Sequence, residues 1–194
     1  PSIIALVPAS ENKKVYFGTT VSGYPTFVFY VSETNEIDNA SLEFALEDSN
    51  QEVIYKTIFT NSGPGRTIGI KLPEYPKLPP LEENKYYYWA GTLVLQPTED
   101  PEASENPVTK MVTGGWIKRI QLNPTVENQL KQATSRREKA KIYKQNLIWY
   151  DALNTLIEAR QVNPNDSLLK SDWVELLQSA ELQQRLPANV LQDS

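Results

Sequence analysis

The sequence predicts an α+β fold, in which an N-terminal antiparallel β-sandwich of immunoglobulin-like architecture is followed by a C-terminal helical segment. Up to residue 122, short runs of β-branched and aromatic residues alternate with turn residues, as in an all-β sandwich. At Asn123-Pro124 the hydrophobic period changes from two to 3.6, and Pro124 suits a first helical turn capped by Asn123. Glycine does not occur after Gly115. These observations divide the chain into a sandwich domain, residues 1–122, and a helical segment, residues 123–194, packed on the sandwich or extending from it.

The sandwich is predicted to contain eight strands, each a run of residues with high β propensity bounded by turn residues. In chain order they span residues 3–7, 15–20, 26–31, 41–47, 53–60, 67–72, 85–96 and 108–122. The first is apolar throughout, as expected of a strand buried on both faces. In the two longest strands, glycine at Gly91 and at Gly114-Gly115 predicts bulges or bends.

The helical segment is predicted to begin with one long helix over residues 125–162, because strong helix formers follow one another there. Asn163-Pro164-Asn165 ends that helix, and Ser171-Asp172 caps a second one. We expect both tryptophans of these helices, Trp149 and Trp173, to be buried rather than to line a ligand site.

The composition excludes several classes of site, because the chain contains neither cysteine nor histidine. Disulfides, thiol nucleophiles, Ser-His-Asp triads and zinc sites with thiolate or imidazole ligands are therefore impossible. Oxygen ligands remain, but the acidic residues within 99–105 lack the spacing and the glycine turn of a calcium loop. We expect a non-catalytic protein without a metal or cofactor; a carboxylate-based hydrolase is the least favoured alternative.

The charge distribution favours protein partners over nucleic acid. Residues 1–122 hold 10 basic and 15 acidic residues, whereas residues 123–194 hold 9 of each. Nucleic-acid binding needs a clustered positive field, which a net charge of −5 does not supply. No apolar run approaches the roughly 20 residues of a membrane-spanning helix. We expect the partner to be a protein, including further copies of this chain in an oligomer or filament.

A basic cluster lies within residues 131–144, where Glu138 is the single acid. On a helix its side chains spread over more than one face, which is typical of a solvated surface. The functional alternative is a docking patch for an acidic partner, such as the sandwich of a neighbouring copy, or for anionic lipid. The partner-binding candidates are Lys131, Arg136, Arg137, Lys139, Lys141 and Lys144.

Four consecutive aromatic residues, Tyr86-Tyr87-Tyr88-Trp89, lie in a predicted strand. Successive strand side chains point to opposite faces, so Tyr87 and Trp89 share one face while Tyr86 and Tyr88 share the other. We expect one pair in the core and the other half-exposed. If the exposed pair is Tyr86 and Tyr88, those rings are candidates for stacking on sugars, and the alternative function is a carbohydrate-binding β-sandwich.

Five segments follow one another along the chain: PTFVFYV at residues 25–31, LEFAL at 42–46, GWIKR at 115–119, IWYDAL at 148–153 and DWVELL at 172–177. Together they resemble the cyanobacterial family known as domain of unknown function 928. The resemblance implies a cyanobacterial source and a signal peptide already removed, hence an extracytoplasmic location, and it implies no activity. With the composition, it makes the preferred hypothesis an extracytoplasmic structural or protein-interaction module, a subunit of a cell-surface or filamentous assembly.

Overall fold

The computed structural model describes residues 2–10, 15–32, 40–60, 66–95 and 108–193. The acidic residues within 99–105 lie outside these ranges. The eight strands described are β1 Ile3–Ala5, β2 Tyr16–Thr20, β3 Thr26–Val31, β4 Ala40–Glu47, β5 Val53–Thr60, β6 Arg66–Lys71, β7 Tyr86–Leu95 and β8 Thr109–Arg119.

The strands form two sheets, with the orders β1-β3-β6 and β2-β8-β7-β4-β5. Together with the helices that follow, they confirm the α+β fold class. One strand pair departs from the predicted antiparallel arrangement, because β2 pairs with β8 in parallel. Parallel partners are joined by long connections rather than by hairpins, so no local turn pattern reveals such a pair.

Of the bulges or bends predicted at the glycines of the long strands, the bulges were wrong, since β7 and β8 pair in an unbroken register from Tyr86 to Leu95. The bends stay a prediction. The glycines instead allow close approach of other groups. A Cβ atom at Gly91 would lie 2.8 Å from the Phe29 ring, and one at Gly115 would lie 2.7 Å from the Tyr16 carbonyl oxygen. The register shift in this sheet occurs between β4 and β5, at Leu46/Glu47.

Aromatic side chains fill the space between the two sheets. Phe27 and Phe29 extend from β3 and meet Phe44 of β4 at ring-centroid distances of 4.8 and 6.1 Å. Trp89 of β7 lies 5.6 Å from Phe29 in an edge-to-face arrangement. Such pairs contribute about 0.5–1.5 kcal/mol beyond their buried area.

The helical segment consists of α1 Pro124–Gln132, α2 Arg136–Gln145, α3 Trp149–Val162, α4 Ser167–Ser179 and α5 Ala188–Asp193, with a 3₁₀ turn at Leu182–Gln184. The single long helix predicted over residues 125–162 was wrong. Ser135 starts α2, accepting a hydrogen bond from the Glu138 amide, while the Glu138 carboxylate accepts one from the Thr134 amide. The start of α4 was also misplaced, because Asp166 caps it by accepting from the amides of Leu168 and Leu169.

The helical segment packs on the sandwich, and one hydrophobic cluster joins both. The Trp149 indole N–H donates to the Leu6 carbonyl at 2.8 Å, and the Asn154 side-chain amide donates to the Thr26 carbonyl at 3.0 Å. Trp149 and Trp173 are both buried, as predicted. The Trp173 indole N–H is bonded within the helical segment, to the Val190 carbonyl at 3.0 Å.

Asp151 and Arg119, two of the charged residues in the family-like segments, both bond to the turn after β2. The Asp151 carboxylate accepts from the Thr20 hydroxyl at 2.7 Å and from the Val21 amide at 3.2 Å. Arg119 donates to the Val21 carbonyl at 3.3 Å and to the Leu81 carbonyl. These contacts join α3, β8 and two sandwich loops, so both side chains have a structural role.

Candidate functional site

The outer face of the five-stranded sheet carries four aromatic side chains, which we call the aromatic patch: Phe17 of β2, Tyr86 and Tyr88 of β7, and Trp116 of β8. Alternation along β7 sends Tyr87 and Trp89 inward, where they are buried. The prediction that one aromatic pair belongs to the core and the other is half-exposed is confirmed.

Strand register brings the four residues together. Trp116 is the partner of Tyr88 on one side and of Phe17 on the other, so these three lie in one row across the sheet. The Tyr88 and Trp116 rings meet at 5.3 Å with 65° between their planes, and the Phe17 and Tyr86 rings meet at 6.2 Å with 34°. The rings therefore do not form the flat row that stacking on an extended sugar chain favours.

The patch is exposed to solvent to a degree unusual for large rings. Tyr86 is 47% exposed, and Phe17 and Trp116 are each 39% exposed. Val112 of β8 and Ile58 of β5, which are 68% and 62% exposed, lie on the same outer face in a row where Thr92 and Glu43 separate them. A cluster of exposed rings such as the aromatic patch typically marks an interaction site.

Lys118 adds a positive charge at the edge of the aromatic patch. Its ammonium lies 4.9 Å from the centroid of the Tyr86 ring, within the range of a cation–π contact. Within the described ranges no carboxylate forms an ion pair with Lys118. The patch therefore combines aromatic rings with a cation that can form an ion pair with a carboxylate of a bound molecule.

The basic cluster predicted from residues 131–144 lies on α1 and α2, and most of its charges meet acids of the same helical segment. Arg137 binds Asp172 of α4 through two hydrogen bonds of 2.5 and 3.1 Å, and this bonding raises the pKa of Arg137. Lys141 lies 3.7 Å from the same carboxylate. Lys144 pairs with Glu175 at 3.2 Å.

The remaining three basic residues of the cluster are Lys131, Arg136 and Lys139. Lys131 pairs with Glu127 one turn earlier at 2.8 Å, and Arg136 lies 3.7 Å from Glu158. Lys139 is exposed. The structure thus uses much of this cluster to join α2 to α3 and α4, and its role in binding a partner stays a prediction.

Phe17 and Trp116 were missed as site residues, although Tyr86 and Tyr88 were named as candidates. The sequence contains an indication for Trp116, because Val112, Trp116 and Lys118 alternate on one face of a long strand. Phe17 could not be found in this way, since it joins the site only through the parallel β2–β8 pair.

Asp151 and Tyr150 are ionisable groups with raised pKa values, and neither belongs to the aromatic patch. Burial raises the pKa of the Asp151 carboxyl, and the Thr20 and Val21 hydrogen bonds oppose this shift. Burial also raises the pKa of Tyr150, whose hydroxyl faces the Trp89 indole without a hydrogen bond of normal geometry. Among the residues described, no group of three or more Asp or Glu side chains is arranged to hold a metal ion.

A shallow pocket lies between α2, α3 and α4. Its walls include Ala140, Leu156 and Leu176, and Lys141 and Glu175 also line it. Lys141 and Glu175 belong to the ion pairs between α2 and α4 described above. The pocket therefore adds no separate set of binding groups.

Comparison with known proteins matches the model of the family Domain of Unknown Function (DUF928) to residues 1–190. The comparison with curated proteins finds no match. Among solved structures, the chain is similar to the sensor domain of the anti-sigma factor RsgI4 in Pseudobacteroides cellulosolvens, at 12% identity and a TM-score of 0.32. That similarity covers 62% of this chain and 95% of the other. Of the helices described, none has both the length and the hydropathy needed to cross a bilayer.

Proposed function

Because this chain belongs to the family of Domain of Unknown Function (DUF928), whose description assigns no activity, we propose a role from its surface. The protein is a non-catalytic protein-interaction module, and the aromatic patch is where its partner docks. The observation that carries this proposal is the group of half-exposed rings on one sheet face.

A protein partner suits this surface for two reasons. Tyrosine and tryptophan are enriched among the residues that dominate binding energy at interfaces, where they fill desolvated centres. Val112, on the same face of β8 as Trp116, adds exposed apolar area that a protein segment can cover. Lys118 adds a preference for a partner with a carboxylate beside its apolar residues.

The finer features of the role are also proposals. The family resemblance supports a cyanobacterial source and an extracytoplasmic location, in which the module is a subunit of a cell-surface or filamentous assembly. Self-association into an oligomer or filament is part of the same hypothesis.

Carbohydrate binding is the second candidate, and the exposed Tyr86 and Trp116 rings favour it. The 65° angle between the Tyr88 and Trp116 planes speaks against a long flat stacking surface. Binding of a purified cell-wall or storage polysaccharide in affinity electrophoresis, abolished by Trp116→Ser, would favour this candidate over a protein partner.

The test of the main proposal compares matched variants in cells of the source organism. Tagged wild-type protein, a Tyr86→Ser/Trp116→Ser variant and a Leu168→Ser variant are cross-linked and purified, and each recovered protein is quantified by mass spectrometry. Leu168 is a control because it is an exposed apolar residue of α4, away from the sheet. We expect one partner to be lost from the patch variant alone; equal recovery of every protein by all three chains would refute the proposal.

A further inference from the structure

Strand β5 ends the five-stranded sheet with an open edge. It pairs with β4 on one side, and no described strand pairs with its other side. It is eight residues long and contains no proline, and Lys56 is its single charged residue. Val53, Ile58 and Phe59 are 44, 62 and 38% exposed. Natural sheets usually protect such an edge with short strands, proline or several charges, so an unprotected one is a template for strand addition.

The pairing with β4 shows which face each β5 residue shares. Tyr55, Thr57 and Phe59 lie opposite Leu46, Phe44 and Leu42 of the core face. Lys56 and Ile58 lie opposite Ala45 and Glu43, and they therefore share the outer face with the aromatic patch.

We propose that β5 pairs antiparallel with β5 of a second copy of this chain, in a register centred on Thr57. This register keeps like faces together, since it places Tyr55 opposite Phe59 of the second copy, Thr57 opposite Thr57, and Lys56 opposite Ile58. Aromatic and Thr–Thr pairs are among those that stabilise antiparallel strands. Centring the strands on Lys56 would instead place two like charges directly opposite each other, which is unfavourable.

In this dimer the aromatic patches of the two chains lie on the same face of the joined sheet. Antiparallel pairing at an edge relates the two chains by a two-fold axis normal to the sheet, so the two outer faces form one continuous surface. Five strand spacings separate β7 from its copy, or about 24 Å at about 4.8 Å per spacing. The dimer presents two aromatic patches, so it can bind a repetitive or dimeric partner with higher avidity than the monomer can. This consequence rests on the proposed function of the patch as a docking surface.

The test uses two substitutions of opposite charge at Ile58. In the proposed register, Ile58→Glu places a carboxylate opposite Lys56 of the second copy, whereas Ile58→Lys places two ammonium groups opposite each other. Two such contacts form per dimer, so the dimer Kd of Ile58→Lys should exceed that of Ile58→Glu by about tenfold. The measurement is sedimentation velocity of the full chain over a wide concentration range at low salt.

The melting temperature of the monomer is a second measurement, which distinguishes an effect on dimer formation from an effect on folding. Within one chain Ile58 lies opposite Glu43, so Ile58→Glu should lower the melting temperature of the monomer while tightening the dimer. Wild-type protein that remains monomeric at all concentrations, or equal dimer Kd values for both variants, would overturn the inference. The Tyr86→Ser/Trp116→Ser variant should dimerise like the wild type, so failure of self-association and failure of partner docking are distinguishable.

Discussion

Trp149→Ala tests whether the helical segment and the sandwich form one cooperative unit. The Trp149 side chain is 7% exposed, and its indole N–H donates to the Leu6 carbonyl of the sandwich at 2.8 Å. Truncating a buried aromatic residue costs about 3–5 kcal/mol of unfolding free energy. Losing the donor to a buried carbonyl places the expected cost toward the upper end of that range. Trp149→Phe keeps most of the ring but not the donor, so it should cost about 1–3 kcal/mol.

Equilibrium urea unfolding of the wild type and these variants measures the effect. Because one hydrophobic cluster spans both parts, we expect a single transition, shifted in midpoint with an unchanged denaturant slope. Leu168→Ala is the control, since that side chain is 55% exposed and the change should fall within about 0.5 kcal/mol. A wild-type midpoint for Trp149→Ala, or two separate transitions in the wild type, would show that the two parts do not unfold as one unit.

Three further predictions concern folding. Burial raises the pKa of the Asp151 carboxyl, so the folded chain binds this proton more tightly than the unfolded chain, and the contribution of Asp151 to the unfolding free energy should decline as pH rises from the ordinary Asp pKa to the raised one. Asp151→Asn should remove that decline in unfolding free energy measured from pH 3 to 8; an unchanged profile would contradict it. Gly115→Ala should lower the melting temperature strongly, because the added Cβ would lie 2.7 Å from a backbone oxygen. Gly69→Ala should be tolerated, because the nearest atom to a Cβ there is a side-chain methyl at 3.4 Å. Similar melting temperatures for the two variants would count against this prediction. Ser135→Ala removes the cap of α2 and should cost about 1 kcal/mol in chemical denaturation, so an unaltered midpoint would show the cap to be dispensable.

The division of the fold into strands and helices could be predicted because both depend on local periodicity. Alternation in β4 is complete, with Leu42, Phe44 and Leu46 buried, and the change at Asn123-Pro124 coincides with the start of α1. The break before α2 was also encoded locally, since Ser135-Arg136-Arg137-Glu138 has the spacing of a capping box. Helix-forming composition on both sides concealed this break.

The candidate site could be predicted only in part, because it depends on strand order. Alternation along β7 identified Tyr86 and Tyr88, but their neighbours Trp116 and Phe17 come from the pairing of β7, β8 and β2. The basic residues of α2 illustrate the opposite case. Their charge was evident from the sequence, whereas their partners Asp172 and Glu175 on α4 follow from helix packing.

Site-specific photocross-linking tests the proposed docking surface most directly. Tyr86 is replaced by the similarly shaped photoreactive residue p-benzoylphenylalanine in cells of the source organism, with Leu168 replaced in a parallel control. Both side chains are exposed, at 47 and 55%, but only Tyr86 belongs to the aromatic patch. We expect a covalent adduct with one defined protein from position 86 and none from position 168. Absence of a protein adduct at position 86, or the same adducts from both positions, would contradict it.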